Sequence, residues 1–137
     1  HGWQLGEHAL WCKHANFNTS IRIPLIFKIP GKSANIKQEA LVETVDLYPT
    51  LCDLAGINSP LHVQGKSFVK LLDDPKAEGK NAIYSRSNLG GETVLTKTHA
   101  YTEFYDSKGT LKSKMLFDLA NDHQVVLEEM KLNLKNH

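Results

Sequence analysis

No feature constrains the fold of this chain more than Ile21-Arg22-Ile23-Pro24-Leu25-Ile26-Phe27-Lys28-Ile29, apolar almost throughout and closed by Pro30-Gly31. A strand that is apolar on both faces belongs inside a sheet covered on both sides, the situation of strands in α/β proteins. The run therefore predicts a strand over residues 21–29 and an α/β class. Pro24 fits the start of such a strand or an edge, because proline cannot donate to a central ladder. The first 30 residues hold no sequential partner for this strand, yet its backbone N–H and C=O groups must be paired. The expectation is that it pairs with sequence preceding His1, and a chain that opens on histidine rather than methionine fits that expectation.

Further along, Leu41–Val45 is a second short strand candidate, followed by a short helix from Asp46 to Gly56 with both ends marked. Asp46 can accept hydrogen bonds from the first-turn amides. Pro49 falls where its missing N–H costs nothing, and Gly56 suits the left-handed position after the helix. Tyr48, Leu51, Cys52 and Ala55 share one face, predicted to pack on the sheet. Ser59-Pro60 and Gln64-Gly65-Lys66 punctuate the next stretch, Ser67–Leu72 reads as a helical turn, and Asp73-Asp74-Pro75 closes it. A subdomain boundary is placed between residues 74 and 81. Beyond it, residues 82–86, 93–97, 100–105 and 115–118 read as an antiparallel meander. Asp106-Ser107-Lys108-Gly109 is a hairpin turn with glycine where positive φ is expected. Asn121–Asn136, with Val125, Leu127, Met130, Leu132 and Leu134 among charged residues, reads as a terminal amphipathic helix.

At 137 residues the chain is long enough for one small domain with a modest core. Its net charge of +1 gives no sign of a nucleic-acid groove, and no apolar run reaches the roughly 18 residues of a bilayer span. Cys12 and Cys52 sit in no CxxC spacing and read as small, semi-buried side chains. Asn18-Thr19-Ser20 is a glycosylation sequon, a pattern short enough to arise by chance.

Chemistry concentrates at the start. Residues 1–20 show neither a period of two nor of 3.6 and read as loop, where functional side chains gather. His1, His8, His14, Glu7 and Lys13 fall within 14 residues, a plausible site for an anion and a metal. The alternative, a polar loop whose histidines are simply satisfied, stays open on the residues alone. Spacings of seven and six residues between the histidines match no zinc signature.

The segment His1-Gly2-Trp3-Gln4-Leu5-Gly6-Glu7-His8-Ala9-Leu10-Trp11-Cys12-Lys13, with Asn16-Phe17 and Arg22-Ile23-Pro24-Leu25-Ile26 after it, resembles a stretch found in sulfatases of the alkaline-phosphatase superfamily. The tryptophan after His-Gly and the Asn-Phe pair make it most like the iduronate-2-sulfatase type and its bacterial relatives. Val45–Leu51 with Leu54-Ala55-Gly56, Gln64–Ser67 with Leu71-Leu72, and Leu116–Leu119 with Asn121-Asp122 resemble later motifs of the same family, in order. His123, and Val126 or its neighbour, depart from the closing motif, where the family has proline and glutamate. Neither Cys12 nor Cys52 carries the Pro-Ser-Arg that follows the family's formylglycine precursor. By resemblance that nucleophile, and an aspartate directly before His1, lie upstream.

The resemblance implies a sulfatase fold. Residues 1–75 end the large α/β catalytic domain, and residues 76–137 form a small C-terminal α+β subdomain, an antiparallel sheet with a terminal helix. It implies Ca2+ as the metal, with His1 a minor ligand in an otherwise carboxylate shell. Lys13 corresponds to the catalytic lysine that touches the sulfate ester, a compact charge suited to a sulfate oxygen. Trp3 corresponds to a substrate-binding pocket wall, with ordinary core packing as its alternative. Glu7 and His8 have supporting positions behind those groups. The function implied is hydrolysis of sulfate esters on a sulfated, uronic-acid-containing glycan. The alternatives are a phosphonate or phosphate monoester hydrolase of the same superfamily and an inactive structural or carbohydrate-binding fragment. The expected partners are the sulfated carbohydrate and the preceding part of the same protein, with no nucleic acid and no membrane. A periplasmic, secreted or lysosomal location is implied. Without a nucleophile the chain alone is expected to be inactive.

Overall fold

A computed structural model describes residues 2–32, 35–88 and 90–121, so His1 and the expected terminal helix lie outside the described residues. The chain divides into two compact units, residues 26–83 and residues 1–25 together with 84–137. The opening segment thus belongs to the same unit as the antiparallel sheet.

In that unit β1 (Gln4–Leu5) and β2 (Trp11–Cys12) form a short antiparallel hairpin, followed by the single-turn helix α1 (Asn18–Ile21). A four-stranded sheet, in order β3-β4-β5-β6, is built from β3 (Ile83–Arg86), β4 (Gly91–Leu95), β5 (His99–Tyr105) and β6 (Leu111–Asp118). The four expected meander strands are all present. Alternation sets the faces: Gly91, Thr93 and Leu95 of β4, Ala100 and Thr102 of β5 and Phe117 of β6 are buried on one side. Thr93 and Thr102 are directly paired across the strands, and their fully buried hydroxyls bond each other at 2.7 Å. That mutual bond is what makes two polar side chains tolerable at the centre of the buried face. The turn between β5 and β6 forms as its residues predict: Asp106 Oδ1 accepts from the Lys108 and Thr110 amides, each at 2.9 Å, and Gly109 has φ 78°. Those amide donors and the Lys112 ammonium hold the Asp106 carboxyl below the usual carboxylate range.

The other unit carries α2 (Leu47–Leu54) and α3 (Val69–Asp73). Pro49 lies in the first turn of α2 and Gly56 adopts φ 67°, as the sequence predicts. Two expectations are overturned here. The buried face of α2 is Pro49, Thr50 and Cys52, whereas Tyr48 and Leu51 are exposed. Residues 41–45 form no strand: Leu41 makes one isolated antiparallel bridge to Lys80, and Thr44–Asp46 is a 3-10 turn. Phe27 meets Phe68 edge-on with ring centroids 5.6 Å apart, and Cys52, Phe68 and Leu71 are buried.

Asp46 organises this unit by collecting donors rather than by capping α2. Its carboxylate accepts from the Glu43 amide at 2.9 Å, the Lys66 amide at 2.8 Å and the Lys80 ammonium at 2.8 Å, and Lys80 also pairs with Glu43. Burial pushes the Asp46 carboxyl up, but Lys80 and the two amides outweigh it and hold the group below its ordinary range. Burial likewise opposes the charge on Lys80, and the two carboxylates reverse that and raise its pKa. Thr50 donates to the Asp46 carbonyl at 2.6 Å and accepts from the Phe68 amide at 3.0 Å, which ties α2 to the start of α3.

The strand expected at 21–29, whose pairing is expected with sequence before His1, does not form among the described residues. Ile21 ends α1, and residues 22–29 form no ladder among the described residues. A strand is made by its neighbours, so an apolar run without a pairing edge stays extended and irregular. Among the described residues no helix is long and apolar enough to cross a membrane.

Candidate active site

The opening residues form a hairpin with a tightly folded five-residue loop, Gly6–Leu10, between β1 and β2. The Gly6 amide donates to the Leu10 carbonyl at 3.0 Å, and the Leu10 amide donates to the Glu7 carbonyl at 3.0 Å. The Glu7 carboxylate turns back on its own loop and accepts from the Leu5 amide at 2.5 Å. That donor, with the amide of Glu7 itself, holds its pKa below the usual carboxylate range.

Strand alternation gives the hairpin two different sides. Trp3, Leu5 and Trp11 point outward, with Trp3 52% and Trp11 69% exposed, so Trp3 is not packed into a core of this chain. Gln4 points the other way and is fully buried at 0% exposure. Its amide nitrogen donates to Ser20 Oγ at 3.1 Å, and its Oε1 lies 3.3 Å from His8 Nδ1. Since the Gln4 amide group must accept at that oxygen, the contact calls for a proton on His8 Nδ1. The His8 ring stacks flat on Phe17, centroids 3.8 Å apart and planes 3° from parallel. Phe17 in turn meets Phe117 of β6 edge-on at 5.7 Å.

Two more contacts fasten this segment. Gly2 passes so close to α1 that a Cβ there would lie 2.1 Å from the Thr19 carbonyl oxygen, so the position following His1 accepts only glycine. Asn16 is buried, and its Nδ2 donates to the carbonyls of Ser85 and Gly91, each at 3.2 Å. A Cβ on Gly91 would sit 2.7 Å from Asn16 Oδ1, which is why β4 begins with glycine.

Of the expected site residues, Trp3, Glu7, His8 and Lys13 lie on or next to this hairpin, with Trp3 turned outward and His8 packed on Phe17, and His1 lies outside the described residues. Lys13 is half-buried, and among the described residues no ion pair or hydrogen bond engages its ammonium. Among the described residues no group of three His, Cys, Asp or Glu gathers into a metal site, so a calcium shell is not complete within them. Cys12, expected to be semi-buried, is exposed, and Cys52 is buried. Gln4, Ser20 and Phe117 are the partners that the sequence reading does not single out. The only signal for Gln4 is its position four residues before His8, which carries no information about burial.

The family described as N-sulphoglucosamine sulphohydrolase, C-terminal, matches residues 6–132. The chain belongs to the sulfatase family. Among curated relatives, this sulfatase chain is 30% identical over 132 residues to arylsulfatase K of Rattus norvegicus, covering 89% of the chain and 23% of that relative. It is 35% identical over 109 residues to iduronate 2-sulfatase of Homo sapiens, covering 61% of the chain and 19% of that protein. A solved structure described as a complex with its substrate D-glucosamine-2-N,6-O-disulfate superposes with a TM-score of 0.76 at 24% identity. The superposition covers 88% of the chain and 26% of the solved one, and it shows the shared fold. The chain therefore spans about a quarter or less of the length of these relatives.

Proposed function

We infer that this chain is the C-terminal part of an enzyme that hydrolyses sulfate esters of a sulfated, uronic-acid-containing glycan. The observation that carries this reading is Lys13: a half-buried ammonium with no partner among the described residues, on the same hairpin as the exposed indoles of Trp3 and Trp11. An uncommitted cation and exposed indoles carried by the same segment suit an anionic sugar, the charge meeting a sulfate oxygen and an indole packing on the ring. The match to the sulfatase family and the sulfated glucosamine substrate bound by a structural neighbour support the same direction.

In this reading residues 1–75 close the catalytic domain and residues 76–137 form its C-terminal subdomain. Lys13 is the catalytic residue contributed by this chain; it holds the sulfate and stabilises the charge that develops as the ester breaks. Trp3 lines the substrate pocket. Glu7 and His8 stiffen the loop that carries Lys13. Formylglycine, expected in the rest of the protein, supplies the nucleophile when present. His1 would give one ligand to Ca2+, with the carboxylates of that shell coming from outside the described residues, as suits a cation that prefers oxygen. A periplasmic, secreted or lysosomal location accords with this substrate class.

The test is an assay of the complete protein against a sulfate ester and the matching phosphate monoester, with the isolated chain alongside. Turnover of the sulfate ester by the complete protein, lost in Lys13→Ala, is the expected result, with no turnover by the isolated chain. Preference for the phosphate ester, or sulfate hydrolysis indifferent to Lys13, would overturn it.

A further inference from the structure

Four residues other than glycine adopt positive φ among the described residues, and three of them stand together just before Lys13: His8 at 57°, Ala9 at 55° and Cys12 at 70°. The left-handed region is sterically unfavourable for side chains of this kind, and such residues persist only where the surroundings over-determine them. The surroundings here are visible. Fully buried Gln4 is tied to Ser20 on one side and His8 on the other, and His8 is stacked on Phe17, which abuts Phe117 of the sheet. The register of β1 with β2, Gln4 to Cys12 and Leu5 to Trp11, carried one step further would set Lys13 opposite Trp3 in the ladder. The left-handed backbone at Cys12 turns the chain at that step, so Lys13 leaves the ladder instead.

We propose that this strained turn aims Lys13 at the scissile sulfate, and that Gln4, through His8, is the positioning residue that holds it. The inference rests on the sulfatase reading above. A displacement of about 1 Å at a catalytic group can cost up to roughly a hundredfold in rate without loss of fold. The turn therefore has an effect on chemistry separable from its effect on stability.

Cys12 is exposed, so its substitutions are compatible with folding, and two of them divide the possibilities. Glycine adopts the left-handed backbone without penalty, whereas a β-branched residue is the least able to do so. In the complete enzyme, assayed with an aryl sulfate, kcat of Cys12→Val is expected about tenfold or more below that of Cys12→Gly. KM should stay within about threefold, because the change re-aims one group and leaves the remaining substrate contacts in place. Gln4→Leu, which keeps the volume and removes both amide contacts, should show the same fall in kcat while Ser20→Ala retains more of the rate. Equal kcat for the two Cys12 variants, or a loss that tracks the unfolded fraction in thermal melts, overturns the proposal. If the complete wild-type enzyme hydrolyses no sulfate ester, the sulfatase reading fails instead; an active enzyme with indistinguishable Cys12 variants removes only this inference.

Discussion

Two clusters of ionisable groups in this chain are put to opposite uses. Around Asp46, every charge has an answer: the carboxylate holds the amides of Glu43 and Lys66 and the ammonium of Lys80, which also reaches Glu43. On the opening hairpin, Lys13 has no such answer among the described residues, and Trp3 and Trp11 face outward. A buried charge surrounded by donors works for the fold, since removing either partner strands the other. A charge held in place by backbone strain but left without a partner is available to a ligand. The difference teaches that completeness of satisfaction, rather than the presence of charge, separates architecture from chemistry here.

The sharpest way to break that contrast is to neutralise one member of each cluster. Lys13→Ala in the complete enzyme should lower kcat by about a hundredfold or more, the scale of one preorganised electrostatic contact, or roughly 3 kcal/mol. Its melting temperature should move little. Lys13→Arg should recover only part of the rate, because a planar fork does not reproduce a compact ammonium. A Lys13→Ala enzyme with wild-type kcat and KM would erase the distinction.

Asp46→Asn should do the reverse, costing about 2–3 kcal/mol in denaturant unfolding while leaving kcat of the folded fraction near wild type. The pH dependence sharpens this. Asp46 has a folded pKa below its ordinary 3.8, so its contribution is present above that value and is lost as pH falls through the folded one. Lys80 has a folded pKa above its ordinary 10.5, so its contribution is complete below that value and is lost as pH rises through the folded one. The stability gap between wild type and Asp46→Asn should therefore be widest between these limits and narrow at both ends. A gap independent of pH would show that Asp46 does not act through its charge.

A smaller effect tests the same principle in neutral groups. Thr93→Val leaves the Thr102 hydroxyl buried without its partner and should cost about 1–2 kcal/mol, whereas the double change Thr93→Val with Thr102→Val should recover most of that loss. Additive losses in the double variant would place the stabilisation in packing instead.

The meander and the Asp106–Gly109 turn are legible in sequence because alternation and turn residues are local signals, complete within a few positions. Helix α2 is legible in extent for the same reason, from Pro49 and Gly56. Its orientation is not: an apolar tally favours Tyr48 and Leu51, but the hydroxyl of Thr50, which bridges Asp46 and Phe68, settles which side turns in. The run at 21–29 is not decided by its own residues, because apolar content reports on burial while a strand also needs an edge to pair with. Trp3, Glu7, His8 and Lys13 are proposed from the motif they share, and the structure adds Gln4, whose burial no periodicity announces.

Asn16 grips carbonyls 69 and 75 positions further along the chain. Contacts so distant in sequence close only after a long loop has been ordered, which slows their formation relative to local hairpins. On a growing polypeptide, the bonds from Asn16 to Ser85 and Gly91 form only once those residues have been synthesised, whereas the β5–β6 hairpin can form within its own twenty residues. Within this chain, the bonds that anchor Asn16 wait on residues translated long after it, a dependence on distant sequence that the β5–β6 hairpin does not have.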